Sequence, residues 1–411
     1  MNLLSRGEYG AALCKLSDLT FSADGKVQSQ ARFSTWAQVL PMVDDSYSGP
    51  HLLDANLLGP IPADEAGDPI YPADAIQEIV KRAAQTRIVV INEDHRRPRH
   101  RGFAADILRA LRPLGYRLFA VETLTSSADL TAADTQRARL VAEGFVRISD
   151  GFYTRDPAFG GLMRVALRLG YHPIAYDTEL DLPSLDAYQS VAAREQSQAE
   201  TLARTLTEHP VSDKMVIFVG FDHIAESPLP WPKREPMTWM AGRLKKLTGV
   251  EPLTIDQTTL PVTMSRADLS VGDVLPGPNS RRPYILVKGG QPYVVGRYRG
   301  AVDLQVFHGK RELSENRAAW FTRTFGYKRH VVALGADCRT NVCIAQSFVA
   351  GEPDDAVPLY QELSSNGEAN VLKLPGKGMK VRIQQTCLPP PCRPLNCLRV
   401  PHSSVPGTAL N

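Results

Sequence analysis

The order of apolar and polar positions divides the chain, from about residue 75 onward, into alternating helices and strands. The segment AIQEIVKRAAQ has helical spacing. It leads into RIVVIN at 87–92, a short apolar run with β-branched residues that is typical of a buried strand. Similar strand patterns follow at 118–124, 172–177, 214–220 and 253–256. This alternation predicts crossover connections and an α/β fold with a mostly parallel sheet flanked by helices.

Helices are predicted between these strands, where apolar residues return at intervals of three and four. The segments with this spacing are 102–116, 131–145, 158–170, 184–209 and 237–249. Gly and Pro residues stand at several of their ends, which is where helices commonly stop. Each strand therefore has a helix to cover one of its faces.

We place the α/β domain at 75–258. The composition and the apolar pattern of the sequence change on both sides of it. Residues 1–74 mix short apolar pieces with Pro, Gly, Asp and Ser clusters, which predicts an N-terminal extension with little regular structure. A Pro-, Gly- and Ser-rich stretch at 259–283 predicts a linker. Strand-like pieces at 284–384 predict a small β-rich domain, and the Pro- and Cys-rich stretch at 385–411 predicts a disordered tail.

Length and charge narrow the class of protein. A chain of 411 residues exceeds the roughly 250 to 300 residues at which one core stops growing, so two domains are expected. Lys and Arg number 47 against 44 Asp and Glu, too small an excess for the steering field of a nucleic-acid binder. No apolar run approaches a membrane span, and the first residues lack a signal-peptide pattern, so we expect cytoplasmic residence. The sequence does not set the oligomeric state.

Several common site motifs are missing from the sequence. It contains no G-x-S-x-G, no P-loop, no G-x-G-x-x-G after a strand and no H-E-x-x-H. Five of the six cysteines lie after residue 337, and their C-x4-C spacings do not match structural zinc sites. Free thiols or disulfides are expected there.

Acidic residues and histidines follow three of the predicted strands. RIVVIN runs into Glu93 and His95, LFAV into Glu122, and IFVG into Asp222 and His223. In an open parallel sheet, ligands bind outside the carboxyl ends of the strands. We therefore expect these side chains to share one polar pocket, in which Asp222 would bind the substrate.

Two chemistries suit these residue types. A neutral histidine can act as a general base on water while a glutamate orients its ring. Alternatively, the four side chains of Glu93, His95, Glu122 and His223 can bind a divalent metal, which lowers the pKa of a bound water. The sequence does not choose between them.

Other candidates come from neighbouring segments. Arg194 and Glu195 lie on the long helix before strand 214–220, where a guanidinium could bind an oxyanion or a carboxylate. His100 and Arg101 follow His95 by about one helical turn and belong to the basic run RRPRHR at 96–101. The expected partner of this run is a substrate phosphate or carboxylate, although such runs are often only solvated turns. Tyr153 and Tyr176 could line the cleft, but aromatic residues at such places usually belong to the core.

Taken in order, VVINEDHRRPRHRGF, FAVETL, AREQSQAETL and VIFVGFDHIAE resemble the superfamily of erythromycin esterase, the ChaN haem-binding lipoproteins, and the TIKI and TraB proteins. The resemblance covers about 80–258, and it is greatest to bacterial ChaN-like proteins. The motif positions that match are Glu93, His95, Glu122, Arg194, Gly220 and His223. Asn92 stands where that superfamily usually has glycine.

The resemblance implies two different functions. The esterase branch uses a metal-independent histidine against an ester, and the TIKI branch resembles a metal-dependent protease. We therefore expect a hydrolase of an ester or peptide bond that acts on a small molecule or a peptide. The alternative is a haem- or iron-binding protein without catalysis, as in ChaN. The expected cofactor is accordingly a divalent metal, haem or neither.

Overall fold

The structure is a computed structural model of the full chain. It describes residues 3–22, 24–43, 57–58, 70–124, 130–177, 185–261, 282–309, 317–334, 338, 342–364, 371–376 and 378–385. Most of the predicted linker and nearly all of the predicted tail lie outside these residues. Among the helices described, none is long and apolar enough to cross a membrane.

The α-helices of the described residues account for most of the predicted helical segments. They are α1 (Tyr9–Thr20), α2 (Gln30–Val43), α3 (Ala75–Ala83), α4 (Pro98–Leu111), α5 (Leu130–Glu143), α6 (Pro157–Arg168), α7 (Ala187–Glu208), α8 (Met240–Thr248) and α9 (Arg317–Phe325).

The strands continue beyond the predicted α/β domain. They are β1 (Leu57–Leu58), β2 (Ile70–Asp74), β3 (Ile88–Glu93), β4 (Tyr116–Val121), β5 (His172–Ala175), β6 (Lys214–Gly220), β7 (Leu229–Trp231), β8 (Arg234–Met237), β9 (Leu253–Asp256), β10 (Leu260–Pro261), β11 (Tyr284–Lys288), β12 (Gln291–Pro292), β13 (Leu304–Phe307), β14 (Lys328–Ala333), β15 (Cys343–Val349), β16 (Tyr360–Leu363), β17 (Val371–Gly376) and β18 (Met379–Gln385).

The central sheet is mostly parallel, as the sequence predicts. Its strand order is β12-β11-β13-β9-β3-β6-β4-β5, with β2 paired to β11. The pairs from β13 to β5 are parallel, and those of β11 are antiparallel. Strands β11 and β13 lie after residue 283, so this sheet includes part of the region where we predicted a separate β-rich domain. The domain boundaries themselves stay a prediction.

Helices cover both faces of the sheet, because its strands are apolar on both sides. Alternate residues of β3 point to opposite faces: Val89 and Ile91 pack with α3, α4 and α6, whereas Ile88 and Val90 pack with α7 and α8. All four side chains are buried. The result is a three-layer core with the carboxyl ends of the strands exposed to loops at one edge.

The N-terminal region is more ordered than predicted. Residues 9–43 form α1 and α2, although the Pro- and Ser-rich texture predicted little regular structure there. The two helices bury Leu13, Trp36 and Leu40 against each other and against Ile344 of β15. The prediction was wrong for these residues because the turn-forming residues hid their apolar spacing. The apolar faces of the two helices are buried against each other and against β15. The Pro- and Asp-rich clusters themselves lie mostly outside the described residues.

The C-terminal strands form small antiparallel sheets, as predicted. β16-β15-β18 make a three-stranded sheet and β14-β17 a two-stranded one. Cys338 and Cys343 form a disulfide at the entrance to β15. These sheets pack on the α6 side of the central sheet, where Val357 and Tyr360 join its core.

Candidate functional site

The carboxyl ends of β3, β6 and β4 lie side by side and bring the principal site residues together. Glu93 at the end of β3 pairs with Gly220 at the end of β6. Glu122 directly follows β4, and its backbone N–H donates to the Phe218 carbonyl at 3.3 Å. The two predicted histidines follow the ends of β3 and β6 within three residues. The register of the sheet therefore produces the convergence that the sequence pattern indicated.

His95 is oriented by Glu93. Its Nδ1 lies 2.8 Å from Glu93 Oε1, and only 7% of the His95 residue is exposed. Arg101 holds Glu93 in turn, because its Nε donates to Oε2 at 2.7 Å and its Nη2 to Oε1 at 2.9 Å. The same Nη2 donates to the His95 carbonyl at 3.1 Å. Arg101 therefore fixes both the acid and the backbone of the histidine.

The protonation state of Glu93 follows from these contacts. Burial by itself raises the pKa of the carboxyl, but Arg101 and His95 outweigh burial and lower it below its usual range. An ionised carboxylate only accepts hydrogen bonds, so Nδ1 of His95 carries the proton that is shared with Glu93. Nε2 of the neutral ring then has the lone pair.

Aromatic rings and a glycine enclose the imidazole of His95. Tyr153 stacks on one face with ring centroids 3.8 Å apart, and Phe221 meets the ring edge-on at 5.3 Å. Phe221 has a φ of 39°, which is rare for a bulky residue and indicates backbone strain at this turn. A Cβ on Gly220 would lie 2.4 Å from His95 Nε2. Only glycine therefore leaves room for the ring.

Glu122 occupies the centre of the cluster. Its Oε1 accepts from Arg194 Nη2 at 2.7 Å, and its Oε2 accepts from the Gly220 N–H at 2.8 Å. His95 Nε2 is 4.0 Å from Oε2, and His223 Nε2 is 3.6 Å from Oε1. Burial raises the pKa of Glu122, but His223, Arg194 and His95 together lower it to about 2. The two imidazoles thus face one ionised carboxylate from different sides.

His223 has its own acidic partner, Glu195. Its Nδ1 lies 2.6 Å from Glu195 Oε1, an ion-pair distance without the alignment of a regular hydrogen bond. Glu195 is fully buried on α7, and its Oε2 accepts from the Met240 N–H at 2.7 Å. Burial lowers the pKa of His223, but the carboxylates of Glu195 and Glu122 outweigh burial and raise it. His223 is therefore biased toward the imidazolium form.

Two of the predicted substrate-binding residues are held in other contacts. His100 is buried, its Nδ1 accepts from the Asp94 N–H at 3.0 Å, and its ring stacks on His308. Asp222 accepts from Tyr298 Oη at 2.8 Å and from Arg297 Nε at 3.2 Å. None of these contacts joins the cluster around Glu122, so substrate binding by His100 and Asp222 stays a prediction.

Asn92, the departure from the superfamily pattern, links β3 to β9. Its Nδ2 donates to Asp256 Oδ1 at 2.9 Å and to the Phe221 carbonyl at 3.0 Å, and its Oδ1 accepts from the Gln257 N–H. The side chain thus anchors the strained turn that follows β6. Glu93 and His95 keep their places in the site.

Sequence reasoning missed two residues that contact the cluster. Asp156 accepts from Arg101 Nη1 at 2.5 Å, and Asp177 accepts from Arg194 at 2.6 and 2.9 Å. Asp177 ends the predicted strand HPIAYD, so the same strand-then-acid pattern could have found it. Asp156 gives no such signal, because it caps α6. Tyr153, for which the sequence left both the cleft and the core open, stacks on His95.

The donor set does not fit a metal ion. Both oxygens of Glu93 accept from Arg101, and both oxygens of Glu122 accept from Arg194 or Gly220. Guanidinium groups in contact with both carboxylates also repel a divalent cation. Within the part of the chain that the structure describes, no group of three or more His, Cys, Asp or Glu is arranged to hold a metal.

Haem fits no better at this cluster. A histidine that binds haem iron needs free space beside its ring for the porphyrin. A candidate ligand in this cluster is His95. Tyr153 and Phe221 already pack against its ring, and only 7% of the residue is exposed. Because of this enclosure, iron coordination by His95 would require Tyr153 or Phe221 to move.

A cavity of about 330 Å³ lies away from the cluster, on the other side of α4. Arg99, Arg323 and Trp320 are among its lining residues. None of the residues that contact Glu93, Glu122 or His223 lines it, so this cavity is separate from the cluster at the strand ends.

Comparison with known proteins gives weak similarities. No family model and no curated protein sequence matches the chain. Solved structures include ChaN of Campylobacter jejuni, described for cofacial haem binding, with 9% identity and a TM-score of 0.35 over 56% of this chain and 100% of that chain. They also include RRSP, a MARTX toxin effector domain from Vibrio vulnificus, with 16% identity and a TM-score of 0.32 over 44% and 37% of the two chains.

A third similar structure is the C-terminal region of Pasteurella multocida toxin, described as having a thiol-protease-like catalytic triad. It has 10% identity and a TM-score of 0.34 over 76% of this chain and 44% of that chain. This chain spans less than half the length of the two toxin chains. Similarities this weak carry no argument about activity, and membership of the superfamily named above stays a prediction.

Proposed function

We propose that the Glu93–His95 pair and His223 form the active site of a hydrolase of ester or peptide bonds that needs no metal. The observation that supports this most is the contrast between the two histidines. In its neutral form, His95 has a lone pair on Nε2, because Glu93 holds the proton on Nδ1. His223, on the other side of Glu122, is biased toward its charged form. A base and a positive charge thus face the same space.

In the proposed reaction, His95 Nε2 removes a proton from water as the water oxygen attacks the carbonyl carbon. Glu93 stabilises the imidazolium that forms, and Arg101 keeps Glu93 in position. When the bond to the leaving group breaks, His95 returns the proton to the leaving oxygen or nitrogen. The carbonyl-derived product is an acid, so all atoms of the water are accounted for.

His223 and Arg194 stabilise the oxyanion that develops on the carbonyl oxygen. His223 Nε2 is 3.6 Å from Glu122, which is too long for a hydrogen bond and leaves its N–H to a substrate oxygen. Arg194 is held by Asp177 and Glu122, and 36% of its side chain is exposed. Fixed positive groups at such a place are usually a major contribution to catalysis.

A screen of esters and peptides with the purified protein tests the proposal. His95→Ala and His223→Ala should each reduce kcat/KM by about 10²- to 10⁴-fold, the usual contribution of a positioned acid or base. His172→Ala is the matched control, because His172 is exposed on β5. Activity should be the same with and without a chelator.

Three outcomes would overturn the proposal. Hydrolysis that is unchanged in both histidine variants would show that the cluster is not the active site. Activity that leaves with a chelator and returns with metal would favour the metal chemistry. A Soret band on adding haemin to a protein with no hydrolytic activity, lost in His95→Ala, would instead favour the carrier function.

A further inference from the structure

The guanidinium of Arg97 is buried without enough acceptors. Only 6% of the residue is exposed, and its Nε and Nη2 make no hydrogen bond. Arg97 stands two positions after His95 and directly before α4. A buried donor that lacks an acceptor is destabilising, and more so when the group is charged. A ligand that supplies acceptors would remove this destabilisation.

The carboxylate of Asp94, which lies near Arg97, already accepts hydrogen bonds from Arg96. Asp94 Oδ2 lies 3.5 Å from Arg97 Nε, beyond hydrogen-bond distance. The two oxygens of Asp94 accept from Arg96, whose Nε donates to Oδ1 at 2.7 Å and whose Nη2 donates to Oδ2 at 3.0 Å. Two guanidinium groups thus share one carboxylate, which leaves a net positive charge at this point of the chain.

The start of α4 adds no negative charge. The first turn of α4 contains no acidic residue, and no side chain caps the helix. The helix has 14 residues, so its N-terminus adds a positive partial charge. Burial, His308 and Arg97 keep the pKa of His100 well below its ordinary value, so its ring is neutral and adds no charge of either sign beside Arg97.

We propose that Arg97 binds a small oxyanion, a phosphate or a carboxylate, at the start of α4. The guanidinium supplies two N–H donors in the planar arrangement that matches such a group. The anion is either part of the substrate or a free ion. Because the site follows His95 in the same loop, a substrate with an anionic group would be held beside the cluster. Binding of the anion does not depend on hydrolysis.

Titration with inorganic phosphate and with acetate, at constant ionic strength, tests the binding. The melting temperature of the full-length protein should rise with the logarithm of the concentration of at least one of the two anions. In Arg97→Met, calorimetry should show binding weaker by about tenfold or more, because a charge-assisted bidentate contact is lost. Arg204→Met, at an arginine with 58% of its side chain exposed, is the control and should bind as the original protein does.

The melting temperature without added anion distinguishes a binding role of Arg97 from a structural one. If Arg97 lacks acceptors, Arg97→Met should melt within a few degrees of the original protein. A much lower melting temperature would show that Arg97 stabilises the fold and would overturn the proposal. Arg97→Lys keeps one charge without the planar pair of donors, and it should fold and bind the anion less tightly. Equal binding by the original protein and Arg97→Met, or binding by neither, would also overturn the proposal.

A kinetic comparison distinguishes the two sources of the anion. For an ester with a carboxylate, Arg97→Met should raise KM at unchanged kcat, whereas a neutral analogue should be unaffected. An effect on neither ester, together with phosphate binding, would assign the site to a free ion. If the chain hydrolyses nothing, the titrations still decide the anion site by themselves.

Discussion

The two histidines of the candidate site each have a carboxylate partner, but the partners differ in their surroundings. The negative charge of Glu93 is balanced by Arg101, which donates to both carboxylate oxygens of Glu93. Glu195 is fully buried, and a backbone N–H of α8 donates to one of its oxygens. A carboxylate neutralised by a guanidinium exerts a weaker field on its histidine than one that is not. We attribute the different proposed roles of His95 and His223 to this difference.

Glu195→Gln should lower the pKa of His223, because it removes the largest contribution that opposes the effect of burial. The protonated fraction of His223 near neutral pH would then fall, and oxyanion stabilisation with it. Titration of the histidine resonances by NMR measures the change. Glu200→Gln, at an exposed position of the same helix, should leave the titration as it was. An unchanged His223 titration in Glu195→Gln would contradict the assigned pairing.

Gly220→Ala should displace His95, because the added Cβ would lie 2.4 Å from Nε2 and 2.6 Å from Cε1 of the ring. The ring has little room to move, since Tyr153 and Phe221 pack against it. A misplacement of about 1 Å can reduce a rate by about 10²-fold. Measurement of kcat/KM beside the melting temperature tests this. A variant that folds normally and remains fully active would show that His95 does not act from this position.

Among the secondary-structure elements, α7 contributes most to the site, since both Arg194 and Glu195 project from it. Its start is fixed by a capping box in which the Asp186 side chain accepts from the Gln189 N–H and Gln189 bonds back to Asp186. The sequence predicted this helix from its periodicity. It did not predict the hairpin β7–β8 that follows β6, because strands this short carry too few alternating positions.

Asp186→Ala should reduce the free energy of unfolding by about 0.5 to 2 kcal/mol, the usual effect of removing an N-cap. The loss of its ion pair with Arg234 should add little, because both groups are exposed. Urea denaturation measures the change. Glu208→Ala at the opposite end of α7, where 63% of the side chain is exposed, should have a much smaller effect. Equal effects of the two substitutions would show that the cap does not stabilise α7.

At the scale of the whole molecule, local patterns predicted the parallel centre of the sheet but not its margin. Buried runs such as RIVVIN and KMVIFVG identify strands, and their alternation with helices implies parallel pairing. The attachment of β11 and β13 depends on pairing between distant segments, which no local pattern encodes. The same limit applies to the site: acids at strand ends could be found, whereas Asp156 could not, because its contact with Arg101 is a product of tertiary packing.

Glu226 should make the stability of the protein depend on pH near neutrality. It joins α8 to β9, since it accepts from Lys245 at 3.0 Å and from Thr254 Oγ1 at 2.8 Å. Burial and the neighbouring Asp303 raise its pKa from 4.5 to about 7, against the opposing effect of Lys245. The folded state therefore binds the proton more tightly than the unfolded state. This stabilisation is complete below pH 4.5 and is lost as the pH rises through about 7.

Glu226→Gln keeps a neutral side chain at every pH and tests this directly. Between about pH 5 and pH 8, the free energy of unfolding of the original protein should fall relative to that of the variant. Urea denaturation across this range measures the difference, and Glu251, which shares Lys245, stays in place in both proteins. Glu235→Gln, at an exposed position of β8, serves as the control. Parallel pH profiles for Glu226→Gln and the original protein would contradict the raised pKa.

The strand order has a consequence for the growing polypeptide on the ribosome. β3 and β4 are synthesised well before β6, yet in the finished sheet β6 lies between them and pairs with both. Until Lys214–Gly220 has left the ribosome, β3 and β4 each have an edge without its partner strand. Such edges are prone to pair with other chains. A nascent chain that stalls in α7 therefore exposes the edges of β3 and β4 that β6 would cover, and His223, three residues after β6, is added only when those edges can pair.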